Sequence, residues 1–134
     1  MNEPRWLLQS VIEIIHDMQI AEHGGVEGVR DKGLLNSALL RPKNLFEYEQ
    51  TGLFGLAAAY ASSLVRNHPF VDGNKRTAFL AAYTFLSING VDFQATEADA
   101  TAMVIALAAG DVEEAKFAKW LECNSTKRSE IESQ

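Results

Sequence analysis

Between Arg66 and Thr77 the sequence reads Arg-Asn-His-Pro-Phe-Val-Asp-Gly-Asn-Lys-Arg-Thr, which places an imidazole, a carboxylate, a glycine and two adjacent cations in one short run. His68 is the group best suited to take a proton from a hydroxyl, because an imidazole accepts a proton near neutral pH. A lone histidine more often supports a loop, and that reading stands beside the first. Asp72 can hold Mg2+ through a carboxylate oxygen while the ion contacts nucleotide phosphates, since Mg2+ takes oxygen ligands and often keeps waters. Its bland alternative is a loop-capping carboxylate. Gly73 permits close backbone approach, and a helix starting just after it presents unpaired N–H groups to a phosphate or another anion. Lys75 and Arg76 at that start oppose the favourable direction of the helix dipole. A bound anion resolves the conflict, and so do acidic neighbours elsewhere in the fold. Asn74 can position a phosphate or the loop itself through its amide, or cap the helix. Arg66 can bind phosphate or pair with an acid, and Phe70 reads as the ring that anchors the loop.

Such a loop needs rigid elements on both sides. Leu53 to Val65 has no charge and many alanines, which predicts a central helix that neighbours approach closely. A second core helix is expected from about Asn74 to Asn89, with Gly90 as its exit. Upstream, Trp6, Leu7, Val11, Ile14, Ile15 and Met18 predict an amphipathic helix following Pro4. His23-Gly24-Gly25 interrupts it, and the stretch to Asp31 reads as a flexible, mixed-charge connection. Leu34, Leu35, Ala38 and Leu39 predict a short helix stopped by Pro42. Leu45, Phe46 and Tyr48 follow in either a helical turn or a loop. Downstream, Thr96 is expected to cap a helix running toward Ala109, and Gly110 separates it from a last helix carrying Phe117, Ala118, Trp120 and Leu121. Val91-Asp92-Phe93 is too short to establish a sheet. The expectation is an all-α, compact single-domain helical bundle over residues 1–124, with the motif loop between two central helices. The polar tail, 125–134, is expected to fray.

The chain of 134 residues is 47% apolar, which argues against disorder, and 12 Lys plus Arg against 18 Asp plus Glu give a net charge of −6. A broad basic footprint for nucleic acid is absent. The longest charge-free stretches, Thr51 to Val65 and Thr77 to Val91, fall short of the ~20 apolar residues of a membrane span. The N-terminus lacks the pattern of a secretory signal, and the single Cys123 allows no internal disulfide, which fits a reducing, cytoplasmic location. His16 and His23 lack the acidic or cysteine partners of a zinc site.

The run from His68 to Arg76 resembles the central motif of the Fic/Doc family, and His23-Gly24-Gly25 with Arg30-Asp31 to Ala38 and Asn74 to Thr77 resemble its death-on-curing (Doc) branch. The resemblance spans about residues 6 to 122. It implies an all-α Fic fold, with His68 as base, Asp72 on Mg2+, Asn74 and Arg76 at phosphate-contacting positions, and Arg66 similar to an arginine before the Doc motif. Adenylylating members carry Gly after the Asn and a second Arg three residues beyond the first; here Lys75 and Phe79 stand there, while Gly73 resembles the Fic form of the loop. The Doc branch implies the toxin of a toxin–antitoxin pair that moves the terminal phosphoryl group of ATP to a translation elongation factor. It also implies a small antitoxin covering the active groove. Transfer of AMP to a protein hydroxyl is the alternative activity, and a non-catalytic helical interaction module is the alternative without chemistry. An internal inhibitory Ser/Thr-x-x-x-Glu-Gly/Asn pattern is not met, since Thr126 and Glu130 are followed by Ile131.

Overall fold

The uncharged, alanine-rich run at the middle of the sequence is also the middle of the molecule. In the computed structural model, which describes residues 2–128, helix α3 (Leu53–Asn67) has every residue from Leu56 to Leu64 buried. Helices α2 (Lys32–Glu49), α4 (Asn74–Ile88), α5 (Glu97–Ala109) and α6 (Glu114–Cys123) all pack against it, and α1 (Gln9–His23) lies on α4. Ala57, Ala58, Ala59 and Ala61 let these neighbours come close, while Tyr60, Phe85, Phe117 and Leu121 fill the space between. The fold is all-α but for one small sheet, and the motif loop joins the two core helices α3 and α4 as expected.

The capping chemistry is where the residue types put it. Asp31 accepts from the Leu34 amide at 2.9 Å to open α2, and Thr96 accepts from the Asp99 amide at 3.1 Å to open α5. Gly110 ends α5 in the left-handed region, as a helix-terminating glycine does.

Three expectations are corrected. The first helix begins at Gln9 rather than after Pro4. Trp6 and Leu7 instead lie in an extended segment held by Asn89, which accepts from the Arg5 amide at 2.8 Å and donates to the Arg5 carbonyl at 3.0 Å. The Trp6 ring packs on Phe85 and Phe46, so tertiary contacts outweigh the helical spacing. Pro42 does not stop α2, which continues to Glu49. Proline removes one helical hydrogen bond. Beyond it, the continued helix packs Leu45 and Phe46 against the core, and Arg41, just before the proline, forms a two-pronged ion pair with Glu114 of α6, at 2.6 and 2.9 Å. The segment after Cys123 does not fray at its start. Ser125–Lys127 forms β2, antiparallel to β1 (Val91–Phe93), with Val91 opposite Lys127 and Phe93 opposite Ser125. Arg128 pairs with Asp92 at 2.9 Å and donates to the Ser87 carbonyl. The remainder of the predicted tail, 129–134, including Glu130 and Ile131, lies outside the described residues.

Candidate active site

The loop from His68 to Gly73 is built between two backbone reversals. His68 ends α3 in the left-handed conformation (φ 50°, ψ 56°), and Pro69 follows it, so the helix cannot continue. Gly73 precedes α4 at φ 78°, a conformation that glycine adopts without strain. The Arg30 guanidinium closes the end of α3, donating to the His68 carbonyl at 2.8 Å and the Asn67 carbonyl at 3.0 Å. A cation there also meets the negative end of the helix dipole.

The stretch from Gly24 to Asp31 is therefore no free connection, which corrects the sequence expectation. Arg30 and Asp31 amides both donate to the Pro69 carbonyl, at 2.7 and 3.0 Å, and the Val71 amide donates to the Gly28 carbonyl at 3.1 Å. Asp72 Oδ2 accepts from the Val26 amide at 2.8 Å. A Cβ on Gly25 would stand 3.3 Å from that of Asp72, so the two segments are in close contact. Val29 and Phe70 form an isolated antiparallel bridge. The motif loop is clamped along its length by backbone bonds from this strap.

Behind the loop, the buried Asn74 side chain accepts from the Phe70 amide at 3.0 Å and donates to the Phe70 carbonyl at 2.9 Å. Of the roles open to Asn74, the one the geometry displays is holding the loop. The Phe70 ring is buried and stacks in parallel on the imidazole of His16, centroids 3.9 Å apart and 8° between planes. His16 was not singled out for this role from the sequence. Its signal is the spacing Ile12-His16-Ile20, which puts a histidine on the buried stripe of α1. Arg30, named only within the stretch that resembles the Doc branch, gave no sign of its role, because its partners are carbonyls that any residue carries.

In front of the loop lies an open groove of about 1330 Å³. His68, Asp72, Gly73, Asn74, Lys75 and Arg76 line one end, and Phe79, Tyr83, Val104 and Ile105 of α4 and α5 line its apolar length. The structure thus gathers six of the predicted residues at one place. Arg66 is not among them: it lies on the exposed side of α3, donating to Ser62 Oγ at 2.9 Å. No side chain caps the start of α4, and its first turn has no acidic residue. Among the described residues neither Lys75 nor Arg76 forms a salt bridge. The acidic residues that share this lining, Glu22, Asp72 and Glu97, form no ion pair with either cation, and an anion at the start of α4 fits the dipole conflict.

Asp72 is exposed at the groove, with one carboxylate oxygen on the Val26 amide and the other without a hydrogen-bond partner among the described residues. One carboxylate beside the cationic start of α4 suits Mg2+, which binds through one or two carboxylates together with substrate phosphates. No cluster of three or more His, Cys, Asp or Glu that could hold a metal without such a substrate occurs among the described residues.

The sequence profile described as the Fic/DOC family matches residues 6–86. The chain is 51% identical over 76 residues to "Toxin Doc" of Mycolicibacterium smegmatis, covering 54% of this chain and 57% of that protein. It is 40% identical over 78 residues to "Protein kinase doc" of Escherichia phage P1, covering 58% of this chain and 62% of that one. It spans less than two thirds of the length of either relative.

Proposed function

Because the chain belongs to the Fic/DOC family, we propose that it is the toxin of a toxin–antitoxin pair and a protein kinase that moves the terminal phosphoryl group of ATP to a Ser or Thr hydroxyl of a translation elongation factor. The observation that carries the reading is the pair of cations at the uncapped start of α4, sharing a groove with His68. The names of the two relatives, a toxin and a protein kinase, support it.

In this mechanism the acceptor hydroxyl lies at His68, which takes its proton as the oxygen bonds to the terminal phosphorus and the bond to the ADP oxygen breaks. Lys75, Arg76 and the free amides of α4 stabilise the charge on the phosphate oxygens. Asp72 is the residue to hold Mg2+, which when bound neutralises charge on those oxygens. The rigid strap under the loop keeps base and anion site in register, as transfer chemistry demands. Gly73 is required by its own backbone geometry and does not select which phosphorus is attacked.

AMP transfer is the competing reading. Phe79 stands where adenylylating members carry a second arginine, and it packs against Phe93 and Trp120, at 5.8 and 6.5 Å between ring centroids. An apolar ring in that place supports phosphoryl over adenylyl transfer. The apolar length of the groove suits a small antitoxin that covers the site. The whole is proposed to act in the cytoplasm, and no helix among the described residues is long and apolar enough to cross a membrane.

Intact-mass analysis of purified elongation factor after incubation with the protein, ATP and Mg2+ tests the reading. A gain of about 80 Da marks phosphoryl transfer and about 329 Da adenylyl transfer. No gain with folded protein, on the purified factor or in a whole-cell extract, returns the chain to the class of interaction modules.

A further inference from the structure

His16 is the one buried histidine, at 1% exposure, and its bonding is unusual for a side chain that merely fills space. Its Nε2 lies 2.7 Å from the Asp72 carbonyl oxygen. A carbonyl only accepts, so Nε2 carries the proton and the hydrogen bond fixes which ring nitrogen holds it. The same ring stacks on Phe70, and a Cβ on Gly73 would stand 3.6 Å from its Cδ2. One side chain of α1 thus touches the loop at Phe70, Asp72 and Gly73.

We propose that His16 is a positioning residue, whose N–H bond to the Asp72 carbonyl and stack on Phe70 set the path of the loop, so that the Asp72 carboxylate and the start of α4 keep their register with His68. The Asp72 peptide group is the hinge between that carboxylate and the left-handed turn at Gly73, so the bond to its oxygen orients both. The strap from Val26 to Asp31 holds the loop from one flank and Asn74 holds Phe70 from below. Among the described residues, only His16 reaches the carbonyl between the carboxylate and the helix. A core residue could be replaced by any side chain of like volume, whereas a positioning residue needs the donor.

The inference deepens the transfer reading above, and its kinetic arm rests on that reading. Three full-length variants separate donor from volume. His16→Gln keeps an N–H at the same reach; His16→Met has the same length without a donor; His16→Phe keeps a flat ring for the stack without a donor. In ligand-free protein, the Val71 amide, bonded to the Gly28 carbonyl, should exchange with solvent at least about tenfold faster in His16→Met and His16→Phe than in wild type, with His16→Gln near wild type. In the transfer assay, kcat should fall about 10- to 100-fold in the two donor-less variants, with the ATP KM changed by less than about threefold, and His16→Gln should recover to within about threefold of wild type. The inference is overturned if a folded donor-less variant keeps wild-type exchange and kcat, or if His16→Gln falls as far as His16→Met. Should His16→Phe fail to fold, the Gln and Met pair decides. A wild type that transfers nothing overturns the kinase reading, while the exchange measurement still decides the role of His16.

Discussion

His68 contributes backbone as well as side chain, because it is a non-glycine residue at positive φ that terminates α3. Replacing it with alanine removes the imidazole and also forces an alanine into a left-handed conformation, which costs roughly 1 kcal/mol. Asparagine tolerates that conformation. His68→Asn is therefore the cleaner test of the base: transfer should fall by about 10²- to 10⁴-fold with the urea midpoint near wild type, whereas His68→Ala should lose both. Equal transfer by folded His68→Asn rejects the imidazole as base. Asn74 makes the opposite kind of prediction. Its amide is spent on the buried backbone of Phe70, so Asn74→Ala leaves an N–H and a C=O unpaired and should destabilise by about 2–3 kcal/mol. A midpoint unchanged in chemical denaturation would assign that side chain to the groove instead. The sequence made the residue types of this run legible, and with them the roles proposed above for His68, Lys75 and Arg76. It did not reveal that Asn74 looks inward, because an amide fits a phosphate and a backbone peptide equally well.

At the scale of elements, the site is a sandwich in which the strap from Gly24 to Asp31 lies against the motif loop, and Arg30 joins the strap to the end of α3. Arg30→Ala removes two exposed charge-assisted bonds and the cation at the helix end. It should cost about 1 kcal/mol in global stability, because the backbone bonds of the strap remain. Its larger effect should be local, with faster amide exchange in residues 69–72 and a transfer rate down about tenfold. Unchanged exchange there would reduce Arg30 to a surface charge. The helices α3, α4, α5 and α6 were readable from their apolar spacing, and in α5 the Thr96 cap and the terminal Gly110 agree with it. The strap was not, since its grip comes from main-chain groups of Gly28, Arg30 and Asp31 that leave no trace in residue type. Pro42 misled for a related reason: the rule that proline ends a helix weighs one hydrogen bond, whereas the turns beyond it place Leu45 and Phe46 against the core.

Across the whole molecule, the ends of the described chain are tied to the core helices that carry the loop. The sheet of β1 and β2 closes over the exit of α4, and the extended segment before α1 reaches the middle of α3, where the Leu7 amide donates to the Tyr60 hydroxyl at 3.2 Å. Neither tie was legible, because each joins segments far apart in sequence and neither has an intrinsic preference strong enough to announce it. The Tyr60 tie has a pH dependence of definite sign. Burial pushes the Tyr60 phenol up from 10.0 to about 12, with the Leu7 amide pulling slightly the other way. The unfolded chain therefore releases this proton near pH 10 while the native state still holds it. Protonated native and deprotonated unfolded states give a stability that falls as pH rises, by up to roughly 1.4 kcal/mol per unit between about pH 10 and 12. Tyr60→Phe leaves the Leu7 amide unpaired, so at pH 8 it should be less stable than wild type by about 1 kcal/mol. Lacking the phenol, it escapes the alkaline loss, so the gap should close and then reverse as the pH passes 11. Urea midpoints for both proteins at pH 8, 10 and 11 read this directly, since the other titrating groups are common to the two. A gap that stays constant over that range would mean the phenol ionises alike in folded and unfolded chains, and that the tie between the first segment and α3 is open to water.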